Sequence, residues 1–155
     1  MQEETILGYN TPMITFNRKP YRLISHTGDL GMTVRGKDRV DLFERAAWAF
    51  FDLLVDARRI EPENPLEVSV EAPDREALLV AWLGELLFLF ETQKIVLGKF
   101  EIETLTDQTL KAIAWGEPFQ GEKHRFKRGV KAVTYHQLRI WETPQGWRAR
   151  VILDI

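Results

Sequence analysis

Asp29, Asp154 and Ile155 are the positions whose chemistry first stands out. Asp29 lies in a short polar turn between two apolar stretches, with Gly28 before it and Gly31 just beyond. Asp154 stands one residue from the end of the run Val151-Ile152-Leu153-Asp154-Ile155, and the main-chain carboxylate of Ile155 adds further oxygen. Hard divalent cations prefer such ligands, so the set suits calcium or magnesium. Zinc fits less well unless His26 also reaches in, and manganese is the remaining alternative. The two glycines would let backbone approach a ligand closely. In an alternating strand Asp154 shares a face with Ile152, among apolar neighbours, so an ionised carboxylate there is costly unless paired or metal-bound. On spacing alone the plainer reading is the stronger one: Asp29 caps a turn, as Asp readily does, and Asp154 is a strand end.

Two further groups have the right atoms for chemistry. Glu85 is the only charge between Ala77 and Phe90. It is either a buried carboxylate needing a partner or the marker of a narrow wet strip on a helix, and the two readings balance. In Lys131-Ala-Val-Thr-Tyr-His136, strand alternation would turn Lys131 one way and Thr134 and His136 the other. Thr134 and His136 could then line a polar pocket and Lys131 could meet a carboxylate or phosphate, although an ordinary two-faced strand explains the pattern more simply. Ser25 has no G-x-S-x-G context, so a nucleophile there is a poor reading. H-E-x-x-H, P-loop and Rossmann patterns are absent. The basic run His124, Arg125, Lys127, Arg128 and Lys131 could touch phosphate, but a loop of alternating charge is more often a solvated surface.

The elements that must position these residues are readable from periodicity. Tyr21–Ser25 and Leu30–Arg35 read as strands around the turn His26 to Asp29. Asp38 is the N-cap of a first helix, with apolar positions Leu42, Phe43, Ala46, Ala47, Phe50, Leu53 and Leu54 and an end near Asp56. Its opposite face is expected to carry Glu44, Arg45 and Asp52. Leu66–Ala72 alternates as a strand with one wet face. Pro73 and Asp74 start a second helix, to about Glu91, apolar nearly all round and so packed on most sides. Lys99–Thr106 pairs with Thr109–Trp115 across Asp107 and Gln108. A loop with Gly116, Pro118, Gly121 and Gly129 follows. Val130–Glu142 and Trp147–Ile155 form a last hairpin around Pro144 to Gly146. The class is α+β: two helices packed on mostly antiparallel sheet. Residues 1–20 are expected to be an irregular arm and 21–155 a single domain.

Composition narrows the function classes. The 155 residues are 45% hydrophobic and 28% charged, as a globular domain should be. The formal net charge of −2 weighs against a non-specific nucleic-acid binder. There are no cysteines, which removes disulfides, a thiolate zinc site and a cysteine nucleophile, and fits a cytoplasmic protein. The start, Met1 to Asn10, lacks the basic and apolar regions of a secretory signal. The most apolar window, Ala77–Phe90, falls short of the roughly 20 residues needed to span a bilayer, so no membrane association is expected.

Five segments resemble the archease family, in order and at fitting separations, from about Tyr21 to Ile155: Ser25-His-Thr-Gly-Asp-Leu-Gly31, Trp82 to Phe90, Trp115-Gly-Glu-Pro-Phe119, Val130-Lys-Ala-Val-Thr-Tyr-His136, and Gly146 to Ile155. Ser25 stands where the family has Asp, Gly28 where it has Ala, and Gly84 where Asn or Asp is usual. The resemblance implies an archease-like fold and a divalent metal held by Asp29, Asp154 and the main-chain oxygen of Ile155. It implies chaperone-like action on a protein partner, the tRNA-splicing RNA ligase, whose guanylylation and multiple turnover archeases promote; tRNA is an indirect partner on this reading, and direct contact with it is left open. Glu85 and Lys131 would shape the docking surface, with His26, Thr134 and His136 around the site. The protein itself would not be an enzyme. Two competing readings are a metal-dependent phosphoesterase using Asp29, His26 and Asp154, and a general chaperone-like binding module with no metal requirement.

Overall fold

The computed structural model describes residues 19–26 and 28–155 and, at His26, the backbone alone. The arm expected over residues 1–20 lies almost wholly outside the described residues. β1 (Tyr21–His26) and β2 (Asp29–Gly36) form the first hairpin. Its turn needs a left-handed residue, and Gly28, at φ +80°, supplies one without strain. α1 (Arg39–Leu54) follows, started by Asp38, whose side chain accepts the Asp41 amide at 2.8 Å. β3 (Asn64–Glu71) leads to α2 (Arg75–Gln93), capped in the same way by Asp74 on the Ala77 amide, again at 2.8 Å. β4 (Ile95–Leu105) and β5 (Thr109–Pro118) are a long hairpin, and α3 (Gly121–His124) is a single turn. β6 (Ala132–Val133), β7 (Arg139–Thr143) and β8 (Gly146–Asp154) complete the chain.

The strands form two antiparallel sheets. One runs β1-β2-β8-β6, with β7 on the same side of β8 as β6; the other runs β3-β5-β4. α1 packs against β2 and β8 of the first sheet and β4 of the second, and α2 likewise meets strands of both. One continuous apolar core joins them, with Met32, Val34, Phe43, Phe50, Leu79 and Trp82 fully enclosed. The Trp82 indole N–H, which would be costly unpaired, donates to the Phe43 carbonyl at 2.9 Å. No described helix is long and apolar enough to cross a membrane.

The α+β class with helices on antiparallel sheet agrees with expectation, and several details differ. The helix roles are exchanged. α1 buries most of its circumference, including Trp48, Ala49 and Phe51, while α2 keeps Ala81, Gly84 and Glu85 half-buried and Phe88 55% exposed. A run of apolar residues therefore did not mean burial on all sides. Asp52, expected on a solvent face, is enclosed at 1% exposure. Gly116 is not in a loop but inside β5, where a Cβ would come within 1.8 Å of the Val96 carbonyl oxygen. The long strand expected over Val130–Glu142 is broken after Val133. There the Thr134 hydroxyl donates to the Ile152 carbonyl at 2.8 Å and accepts the His136 amide at 3.2 Å. A hydroxyl that bonds nearby backbone competes with the ladder and makes a turn. Tyr135, 66% exposed, and His136 are therefore turn residues without strand alternation.

Candidate metal centre

β2 and β8 pair in a register that sets Asp29 directly opposite Asp154, and β1 sets His26 opposite Asp29 on its other side. Ala132 completes the row on the far edge of β8. The register follows from the core. Leu30, Met32 and Val34 pair with Leu153, Val151 and Ala149, all buried, and a slip of one residue would turn them to solvent. The same register leaves two carboxylates facing each other across the ladder, where like charges repel. Asp29 is thus the first residue of β2 and not part of the turn.

The two acids sit differently. Asp154 is exposed, so the expected burial cost among apolar neighbours does not apply to it. Asp29 is half-buried, and its Oδ1 is enclosed with no hydrogen-bond partner among the described residues. A buried carboxylate oxygen without a donor is expensive, and a bound cation is one way to satisfy it. The main chain around it is fixed: the Lys131 amide donates to the Asp154 carbonyl at 2.7 Å, and the Ile155 amide to the Gly28 carbonyl at 3.3 Å. Gly31 serves the sheet and not a ligand, since a Cβ there would press on Ile152 Cδ1 at 3.3 Å and on Ile24. The row is therefore walled by Ile24 and Ile152. As a donor set, two carboxylates plus main-chain oxygen fit a hard cation such as calcium or magnesium.

Of the other sequence candidates, Thr134 is held to Ile152 beside this row, and Lys131 is exposed next to it in sequence. His136 is exposed in the following turn. Glu85 sits on the open side of α2, a helix that packs against β6, and is half-buried. The side chain of His26 lies outside the described residues.

Two charged clusters were not foreseen. Asp52 accepts the Tyr21 hydroxyl at 2.5 Å and the Ala57 amide at 3.0 Å, with Lys19 Nζ at 3.2 Å and Lys127 Nζ at 3.5 Å. Burial alone would raise its pKa, but these hydrogen bonds and charges prevail and hold the carboxyl below its usual range. Burial, reinforced by the bond to Asp52, pushes the Tyr21 phenol far upward. Glu117 opposes burial in the same manner, accepting from the Glu61 amide at 2.9 Å, Lys123 at 2.8 Å and His124 Nε2 at 2.8 Å, and its pKa falls. His124 Nδ1 accepts the Gln120 amide at 2.9 Å, so the ring proton sits on Nε2. Glu61, Glu63 and Glu117 bring carboxylate oxygens within 4.8 Å of one another, yet Glu117 is already committed to these donors. Part of the basic run is structural as well, while Arg125 and Lys131 are exposed. Lys127 Nζ and Arg128 donate to the Asp52 and Leu53 carbonyls at 2.8 Å, closing the C-terminal end of α1.

Fold and row together define a small α+β protein with an opposed pair of carboxylates at one end of its larger sheet. The profile of the archease protein family (MTH1598/TM1083) matches residues 21–155. Protein archease of Methanosarcina acetivorans is 40% identical over 141 residues, 88% of this chain and 97% of the relative. That of Thermococcus gammatolerans is 41% identical over 134 residues, 84% and 94% of the two chains. The solution structure of Methanobacterium thermoautotrophicum protein 1598 superposes with a TM-score of 0.72 at 34% identity, covering 89% of this chain and all of that one. A Thermotoga maritima archease, described as a possible chaperone, has a TM-score of 0.58 at 20% identity, covers 91% and 99%, and bears on the fold alone. The chain belongs to the archease family.

Proposed function

We propose that this protein is a metal-dependent activator of the tRNA-splicing RNA ligase, promoting guanylylation of the ligase and its repeated turnover without performing the ligation itself. The observation that carries the metal half of this reading is the opposed pair Asp29 and Asp154, with the Asp29 Oδ1 enclosed and without a partner among the described residues. Asp29, Asp154 and the main-chain oxygen of Ile155 would hold the divalent ion, calcium or magnesium by the hardness of the ligands. Such an ion would offset negative charge on a triphosphate close to the ligase active site. The chain's own contribution is rigidity: the Lys131 and Ile155 amides fix the main chain on both sides of the row, and Thr134 fastens the next loop to Ile152. The Glu85 and Lys131 side chains, half-buried and exposed respectively, are available to a partner's surface.

The test is guanylylation of the cognate ligase by GTP under multiple-turnover conditions, with the protein, without it, and with Asp29→Ala. Stimulation that the variant loses supports the reading. A competent ligase that responds equally to both proteins removes the metal from the mechanism, and one that responds to neither removes the activator role. A chaperone-like module is the second reading, favoured by the exposed Phe88 on α2 and by Phe126 and Tyr135, 53% and 66% exposed. It predicts suppression of client aggregation that is indifferent to chelator.

A further inference from the structure

The outer face of the larger sheet divides its charge sharply. One end holds Asp29 and Asp154. Two residues along every strand come Ile24, Gly31 and Ile152, and beyond these the register aligns Arg22, Thr33, Arg150 and Arg139 across four strands. In the last row Arg35 stands opposite Arg148, and Arg148 opposite Trp141. Arginine is thus set directly against arginine twice, as Arg35–Arg148 and Arg150–Arg139. Each such pair costs stability on a sheet. The arginines come from four separate strands of a chain whose net charge is −2, so the cationic field is local.

From this arrangement we infer that the arginine half of the sheet is a binding face for single-stranded RNA. Guanidinium forks match phosphate oxygens in pairs, and an array spread over four strands suits a ligand that repeats its charge at every nucleotide. The face also offers planar groups for bases: the Arg139 guanidinium lies 4.5 Å over the Trp141 ring, and aromatic and guanidinium planes are the usual stacking surfaces for unpaired bases. Beside it lies a cleft of about 510 Å³ lined, among the described residues, by Lys19, which is paired to Asp52, by Tyr21, Thr33 and Val34, and by Arg22, Arg35 and Arg148. Arg22 and Arg139 are exposed, while backbone carbonyls orient two of their neighbours: Arg150 donates to Gln137 at 3.0 Å and Arg148 to Trp147 at 3.0 Å. Guanidiniums fixed in this way lose little freedom on meeting phosphate. The inference concerns a different part of the sheet from the acidic row and does not depend on a metal or on the ligase.

The experiment is fluorescence anisotropy of a labelled oligouridine of about 12 nucleotides, within the span such surfaces cover, titrated with the full chain across a salt series. The wild type should bind with a steep salt dependence. Removing two phosphate contacts in Arg148→Ala/Arg150→Ala should lower the log–log salt slope by about 1.4. Affinity should fall roughly tenfold for each guanidinium lost. The exposed single variant Arg22→Ala gives the same direction with little risk to folding. Lys111→Ala, on the other sheet, should bind as the wild type does. The double variant also loses the bonds to the Trp147 and Gln137 carbonyls, so its melting temperature is measured beside its affinity and Arg22→Ala carries the comparison at an exposed position. Absence of RNA binding, or unchanged slope and affinity in both arginine variants, overturns the proposal. So does equal or tighter binding of polyglutamate or of phosphatidylglycerol vesicles, which would make the face a general acceptor of acidic surfaces.

Discussion

Asp52, on α1, and Asp29, on the outer face of the larger sheet, are both aspartates at least half withdrawn from solvent, and they are treated in opposite ways. Asp52 is enclosed and answered on every side: a phenol, a backbone amide and two ammonium groups converge on its two oxygens. Asp29 is half-buried, carries an enclosed oxygen with no donor among the described residues, and faces a second carboxylate across the ladder. A carboxylate whose demands are met within the chain is part of the architecture. One whose demands are left open, on a rigid backbone, is arranged for something brought from outside. Glu44 falls between them: one oxygen accepts the Ile102 amide at 2.9 Å, while Asp41, Glu101 and Asp38 lie close enough to oppose its charge.

The largest effect expected from this contrast is at Asp52. Asp52→Asn leaves Lys19, Lys127 and Tyr21 around an uncharged amide; the two ammonium groups reach solvent, so the cost is that of hydrogen bonds to a buried charge, about 3 kcal/mol at the upper end. Chemical denaturation at neutral pH should show that loss. A loss below about 1 kcal/mol would mean the cluster is solvated and the contrast with Asp29 is not real.

Glu44 provides the next test, through pH. Burial, with the three neighbouring acids, raises its carboxyl from 4.5 to about 7, against the opposing pull of the Ile102 amide. Between those values the native state binds more protons than the unfolded chain, so this group's stabilising contribution is complete below about 4.5 and is lost as pH rises toward about 7. Glu44→Gln keeps an acceptor for Ile102 and cannot ionise. The variant should match the wild type in acid and exceed it above neutrality by up to about 3 kcal/mol. Parallel stability curves for the two proteins would show that Glu44 ionises freely and that burial there is slight.

The contrast among these acids also marks how far the sequence can be read. Asp38 and Asp74 as N-caps, the Asp107–Gln108 turn and the inward alternation of Leu30, Met32 and Val34 are local signals, and local physics decides them. Asp52 was misjudged because a helical wheel assumes solvent opposite the apolar stripe. Here Tyr21 of β1 and Lys127, distant in sequence, cover that side. The pairing of Asp29 with Asp154 depends on β8 returning beside β2, which no spacing rule encodes, although matching the two buried alternations would have given the register. The arginine face was hidden twice. Its members are scattered from Arg22 to Arg150, whereas the conspicuous basic run contains Lys127 and Arg128, which close the end of α1, Lys127 also facing Asp52.

The smallest effect is the most discriminating, because its sign changes with conditions. In chelator, Asp29→Asn removes one of two opposed charges, and relief of a like-charged cross-strand pair is worth about 0.2–1 kcal/mol, so the variant should be slightly more stable than the wild type. With calcium or magnesium at about a hundred times its dissociation constant, the wild type should gain about 2.7 kcal/mol by mass action while the variant gains little, and the order of stabilities should reverse. Thermal melts of both proteins, with chelator and with each metal in turn, would display the crossing. Asp154→Asn should follow the same course, since each acid needs the other to hold the ion. A wild type that melts at the same temperature in chelator and in every divalent metal would leave the enclosed Asp29 oxygen to be satisfied by water, and Asp29 would then join Asp52 as an acid of the framework.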